Sequence, residues 1–288
     1  MGPAPGGLIV RRAERSDYPT FVRLFPELQV DDPVPERVVW EVGLAPWTWI
    51  AEVAGGRPGG ASALGYLYCQ EYQDTGYVRH VVVDPQARRA GVGRALMRFV
   101  GDALREAGRR RWCLNVKPGN LAALGLYESL GLEVAYPAVV LRLPWAAMAA
   151  LGAPSAADGL VVRLLTPERF ALVEGGFALP RGQLEAAARQ GRLLVEAISE
   201  PVDHQAPVGF ASFDLSSPSF PRAFPFRLRD GRVLASLLQA LKAHALPGFD
   251  HVQLVLELVN SDERAAVDRL MTAGATVRDE VLHLAGRP

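Results

Sequence analysis

The chemistry this sequence offers is concentrated in Arg88, Arg89, Ala90, Gly91, Val92, Gly93 and Arg94. Three guanidiniums supply charge-assisted donors for an oxyanion. Gly91 and Gly93 lack the Cβ atoms that would hold a bulky anion away from the backbone. If a helix begins here, the N–H groups of its first turn have no internal partners and sit at the positive end of its dipole. The segment therefore reads as a site for a phosphate-type anion, with donors enough for a pyrophosphate. Two glycines alone would serve a tight turn; their agreement with the arginines and flanking elements favours the anion site.

Those flanking elements must position the donors. Val81, Val82 and Val83 are β-branched and apolar, which suits a strand buried on both faces. Pro85 cannot continue a central strand. Beyond Gly91, apolar residues fall at Leu96, Phe99, Val100, Ala103, Leu104 and Ala107, a helical stripe that Gly108 can end. The order is strand, glycine loop, helix. No Gly-x-x-x-x-Gly-Lys-Ser/Thr is present, so the loop is not a P-loop. A third glycine at dinucleotide-fold spacing is also missing.

Arg88-x-x-Gly91-x-Gly93 on a strand–helix junction resembles the Gln/Arg-x-x-Gly-x-Gly/Ala motif of the GCN5-related N-acetyltransferase (GNAT) family. Downstream, Leu114-Asn115-Val116-Lys117-Pro118-Gly119-Asn120 is similar to the family's next strand and loop, and residues 121–132 to its following helix and glycine exit. Asn120, Ala123, Tyr127 and Gly131 carry that second resemblance. The resemblance implies direct acetyl transfer from acetyl-CoA to an amine in a ternary complex, without a metal. It implies that the cofactor lies between the 81–83 strand and the 114–116 strand, with Val81, Val82 and Val83 along the pantetheine arm. Backbone groups of Val81 and Val83 would polarise the thioester carbonyl. Arg88, Arg89, Ala90, Gly91, Val92, Gly93 and Arg94 would hold the pyrophosphate. Asn120 would bond near the pantetheine or the sulfur, and Tyr127 would protonate the leaving thiolate as general acid. From the residues alone, Tyr127 reads better as an amphipathic-helix tyrosine packing its ring on the sheet; the catalytic role comes from the resemblance.

The chain has 288 residues, enough for two domains of roughly 140 residues. Its formal net charge is zero, which gives no electrostatic case for nucleic acid or an anionic membrane. The two cysteines, Cys69 and Cys113, do not mark a disulfide scaffold. No apolar run is long enough to span a membrane and no signal peptide is recognised at the N-terminus, so the expectation is a cytoplasmic protein, monomeric or homodimeric.

An internal repeat is the second feature. Leu8-Ile9-Val10-Arg11 is echoed by Leu160-Val161-Val162-Arg163, and each leads towards an amphipathic helix. Residues 49–53 and 64–67 form a hairpin pattern that recurs at 193–197 and 208–211. Gly93-Arg94-Ala95-Leu96 is echoed by Gly231-Arg232-Val233-Leu234, and residues 129–134 by 272–277. The fold class is therefore α/β: two tandem acyltransferase-like domains, each a twisted mixed β-sheet flanked by helices. The reading places a catalytic domain at 1–144, a linker at 145–159 and a degenerate copy at 160–288. In that copy Arg229 stands where Gly91 does, Asp230 repels an anion, and Leu270 replaces Tyr127. One cofactor site per chain is expected.

The base that deprotonates the amine is not identified. His80 and Glu71 are weak candidates beside Asp74, Glu27, Asp31, Asp32 and Glu41, since histidine can titrate near neutrality. Trp40, Trp47 and Trp49 with these acids read either as a site for a cationic amine or as a core with a polar rim. The acceptor is read as a small-molecule amine. A protein N-terminus or lysine, and a non-catalytic acyl-CoA-binding or partner-binding module, are the alternatives.

Overall fold

In the computed structural model, residues 7–30, 32–54, 62–152, 159–199, 206–215, 220–245 and 247–288 are described. They form two compact units. The first comprises Met1–Val116, Asn120–Glu133 and Leu284–Pro288; the second comprises Lys117–Gly119 and Val134–His283.

The first unit carries β1 (Leu8–Arg12), β2 (Thr48–Val53), β3 (Ala63–Glu71), β4 (Thr75–Val83) and β5 (Arg111–Val116), side by side in that order. The first four run antiparallel, and β5 lies parallel to β4. Side chains alternate between faces along each strand. On one face Ile50, Tyr66 and Val82 meet Phe21 and Leu24 of α1 (Tyr18–Leu24), with Phe25 of the turn Phe25–Leu28 and Trp40 just beyond α2 (Arg37–Val39). On the other face lies α3 (Val92–Glu106), whose buried stripe is Val92, Leu96, Met97, Val100, Gly101 and Leu104. Leu104 packs over Gly76, and Gly101 packs on the Trp112 ring of β5. Each large apolar side chain so buried contributes about 1.5–3 kcal/mol. This packing fixes the helix start at the end of β4. The helix α4 (Leu121–Glu128) follows β5.

The second unit carries β6 (Glu133–Pro144), β7 (Leu160–Leu164), α5 (Phe170–Gly176), α6 (Gln183–Arg189), β8 (Leu193–Ser199), β9 (Gly209–Asp214), β10 (Arg222–Leu228), α7 (Leu234–Ala243), β11 (His251–Glu257), α8 (Ser261–Ala273) and β12 (Thr276–Gly286). Its strand order is β12-β6-β11-β10-β9-β8-β7. The strand 133–144, expected to close the first domain, pairs along β11 from His251↔Pro144 to Glu257↔Ala138. Its apolar alternation explains this: Val139, Leu141 and Leu143 are buried in one cluster with Val252, Leu254 and Leu256. The expected linker begins as a turn of helix, Trp145–Leu151; residues 153–158 lie outside the described residues.

The repeat extends to buried charge. In the first unit Arg11 binds Asp17 at 2.7 Å and Glu52 at 3.0 Å. In the second, Glu196 binds Arg163 at 3.0 Å and Arg169 at 2.5 Å. Arg11 and Arg163 hold matching places in the first strands, Glu52 and Glu196 in the second. The third member has changed from an acid to a base, and the triad from acid-rich to arginine-rich. Cys69 and Cys113 are buried free thiols. Among the described residues, no helix is long and apolar enough to cross a membrane.

Candidate active site

The loop at the end of β4 is built by its own backbone. Asp84 accepts a hydrogen bond from the Gln86 amide at 3.0 Å and holds the turn Pro85–Ala87. Arg89 takes φ +67° and Gly91 φ +85°, a region that glycine enters at little cost. Gly91 is the N-cap of α3, and no side chain caps that end. A Cβ built on Gly91 meets nothing within 4 Å, so the loop opens onto free space there. Gly93 has a packing role that the sequence does not show. Its missing Cβ would lie 3.3 Å from Leu126 and 3.6 Å from Val83, so the glycine also lets α4 and β4 approach. Arg89, Ala90 and Arg94 are exposed, whereas Val92 is buried beside Gly65. Arg88 donates to Glu27 at 2.5 Å and to the Val83 carbonyl at 3.4 Å.

The strands part next to this loop. The β4–β5 ladder runs from Thr75↔Arg111 to Val78↔Leu114 and, among the described residues, goes no further. Val81, Val82 and Val83 lie beyond its end, paired only to β3. The register on β3 jumps between Tyr68↔His80 and Cys69↔Val78, which makes Arg79 the extra residue of a β-bulge. Arg79 donates to Gln70 at 3.2 Å and lies 3.7 Å over the Tyr77 ring. The sequence reading missed it, although a charged Arg79 interrupting an apolar strand pattern was the available signal. Val82 is buried in the core; Val81 and Val83 are half-buried.

Tyr127 is buried in α4, and removal from water pushes its phenol up to about 12. It is therefore a protonated donor throughout the neutral range. Asn120 is the N-cap of α4: its Oδ1 accepts from the Ala123 amide at 3.2 Å. That cap commits the carbonyl side of the carboxamide and leaves its NH2 as the group suited to a ligand.

The two weak base candidates are corrected. His80 is surrounded by the rings of Phe25, Tyr66 and Tyr68. Burial, with the Arg79 charge, lowers it to about 3, so it does not titrate near neutrality. Glu71 is bound to Arg109 at 3.2 Å and stands opposite Gly76, at the start of β4 rather than at its parted end. Glu41 pairs with Arg37 at 3.5 Å, and Asp31 lies outside the described residues. Trp40 and Trp49 are core residues; only Trp47 of the three is exposed.

The corresponding place in the second unit is closed. β10 also carries a bulge, between Ala223 and Phe226, but its parallel ladder resumes at Phe226↔Leu256. The next residue, Arg227, donates to Glu257 at 2.9 Å and Glu263 at 2.6 Å, all three buried. Two amides of the turn before α7 are also taken. Gly231 donates to Asp262 at 2.9 Å and Arg232 to Asp230 at 2.9 Å. Carboxylates of the chain itself occupy these two amides.

A model of the acetyltransferase (GNAT) family matches residues 18–132. A [ribosomal protein bS18]-alanine N-acetyltransferase of Escherichia coli is 37% identical over 70 residues, 24% of this chain and 47% of that protein. Its Salmonella typhimurium counterpart is 36% identical over the same length. The match thus spans about half the length of these relatives. Two solved structures share the fold over nearly the whole chain. A GCN5-related N-acetyltransferase from Sphaerobacter thermophilus matches with TM-score 0.63 and 16% identity, covering 99% of this chain and 98% of that one. A tandem GNAT protein from the clavulanic acid biosynthesis pathway matches with TM-score 0.59 and 18% identity, covering 97% and 98%.

Proposed function

The chain belongs to the acetyltransferase (GNAT) family through residues 18–132, and from that premise we propose that it is an N-acetyltransferase with one active site, in its first unit. The observation that carries this reading is the junction of an uncapped helix start at Gly91 with strands that part after Val78 and Leu114. The residues fit acetyl-CoA. Open space at Gly91, on a loop that also carries the exposed Arg88, Arg89 and Arg94, suits a pyrophosphate, and the parted strands suit an extended pantetheine arm.

Bound acetyl-CoA supplies an activated acetyl group whose sulfur leaves as a thiolate when the amine attacks. Backbone groups of Val81 and Val83, freed from β5, polarise the carbonyl. Tyr127 holds its proton at neutral pH and gives it to the leaving sulfur. The NH2 of Asn120 steadies the same end of the cofactor. The acceptor amine arrives neutral or loses its proton through water, since neither His80 nor Glu71 is placed to take it. The second unit acts structurally.

The acceptor is read as a small-molecule amine. The alanine acceptor in the names of the ribosomal-protein relatives favours a protein amine as the second reading. Thiol release from acetyl-CoA, followed with small amines, peptides with free N-termini and lysine peptides, tests both. Acceptor-dependent release is expected, and the acceptor that saturates identifies the class. Tight cofactor binding without release on any acceptor would leave a non-catalytic acyl-CoA-binding module.

A further inference from the structure

Two ion pairs of opposite polarity tie the glycine loop to the wall formed by α1 and the turn Phe25–Leu28. Arg23 of the wall binds Asp84 of the loop and the Ala63 carbonyl, the latter at 2.7 Å. Arg88 of the loop binds Glu27 of the wall at 2.5 Å. The first pair is anchored at both ends, because Asp84 also accepts from the Gln86 amide. The second is a single contact between half-exposed side chains, with Arg88 otherwise resting on the Val83 carbonyl.

The Glu27 carboxylate thus occupies Arg88, the first arginine after β4 and three residues before the uncapped helix start at Gly91. We propose that Glu27 is an internal stand-in for the cofactor's pyrophosphate at Arg88, displaced when acetyl-CoA binds. This rests on the reading of residues 88–94 as the pyrophosphate loop. A pyrophosphate offers Arg88 two negative groups together with the helix-start amides, whereas Glu27 offers one carboxylate. The exchange leaves Arg23–Asp84 as the remaining tie and releases Glu27 on the wall that packs on β4 through Phe25 and His80. An acid freed on that wall suits a cationic acceptor.

Titration calorimetry with acetyl-CoA and the full chain tests the exchange without turnover. Glu27→Gln should tighten binding on the order of 2- to 5-fold, the range that loss of one exposed ion pair allows. In an Arg88→Gln background the same substitution should gain nothing, which separates competition for Arg88 from a general loss of negative charge. Unchanged or weaker binding by Glu27→Gln, with its melting temperature kept, overturns the stand-in while leaving the cofactor site intact. A gain that persists undiminished without Arg88 overturns it as well. No acetyl-CoA binding by the wild-type chain overturns both the stand-in and the reading beneath it.

Discussion

Val78 faces Leu114 as the last pair of the parallel ladder between β4 and β5. One residue later the chain bulges at Arg79, and the strands cease to pair. Ending a central ladder this way exposes backbone donors and acceptors that a folded protein normally satisfies. The second unit bulges at the matching strand and then closes its ladder, with Arg227 pairing to Glu257 and Glu263 just past the last rung. That contrast between an open and a closed version of one design is the reason for proposing the active site in the first unit.

Tyr127→Phe removes the proton donor and keeps the ring. Turnover with the saturating acceptor should fall by roughly 10- to 1000-fold, the range of a general acid. The acetyl-CoA dissociation constant should change little. Steady-state kinetics beside calorimetry checks both, and undiminished kcat would remove Tyr127 from the chemistry.

The pH behaviour follows from the half-buried His80 and the buried Tyr127. His80 sits at about 3 in the fold against 6.5 unperturbed. Between those values the unfolded chain binds more protons, so this contribution to stability is complete above about 6.5 and is lost as pH falls towards 3. The loss is at most about 1.4 kcal/mol per pH unit. His80→Gln should flatten that limb of a denaturation series. In kcat no His80 limb is expected between about pH 5 and 8, and Tyr127 stays protonated until pH nears 12. A kcat ionisation near neutrality that vanishes in His80→Gln would restore histidine as the base.

Gly91 and Gly108 make a matched pair. Their φ angles are +85° and +73°, and neither has a neighbour within 4 Å of a built Cβ. Alanine at either site should cost about 1–2 kcal/mol through backbone strain alone. Only Gly91→Ala should also weaken acetyl-CoA binding. Equal cofactor affinities in the two variants would mean that the loop does not receive the anion.

Arg227→Met should destabilise the protein by about 3–5 kcal/mol, because Glu257 and Glu263 are left buried without their cation. Chemical denaturation measures this. A near-neutral effect would mean that water already reaches the triad, and the second cleft would not be sealed as described.

The glycine loop, the helix after it and the repeat were legible because each rests on local pattern. Pro85 ends a strand, apolar residues recur at helical spacing, and Arg11 and Arg163 open matching segments. The pairing of strand 133–144 with β11 was not legible. Alternating Val139, Leu141 and Leu143 suit any apolar face, and only tertiary packing selects the partner. His80 misled for the same reason. Its position in a strand says nothing of the three aromatic rings that lower its proton affinity. The packing of Leu126 against Gly93 is not legible either, because it joins two helices distant in the pattern. The bulge at Arg79 depends on register with β3, a property of two strands together.

The central claim is a single cofactor site held by the loop at Gly91, and the stoichiometry of acetyl-CoA binding tests it most directly. Calorimetric titration of the full chain should give one acetyl-CoA per chain. That binding should weaken in Arg88→Gln and in Gly91→Ala and persist unchanged in Asp230→Asn. Two comparable sites per chain, or one site indifferent to Arg88 and Gly91, would contradict the account.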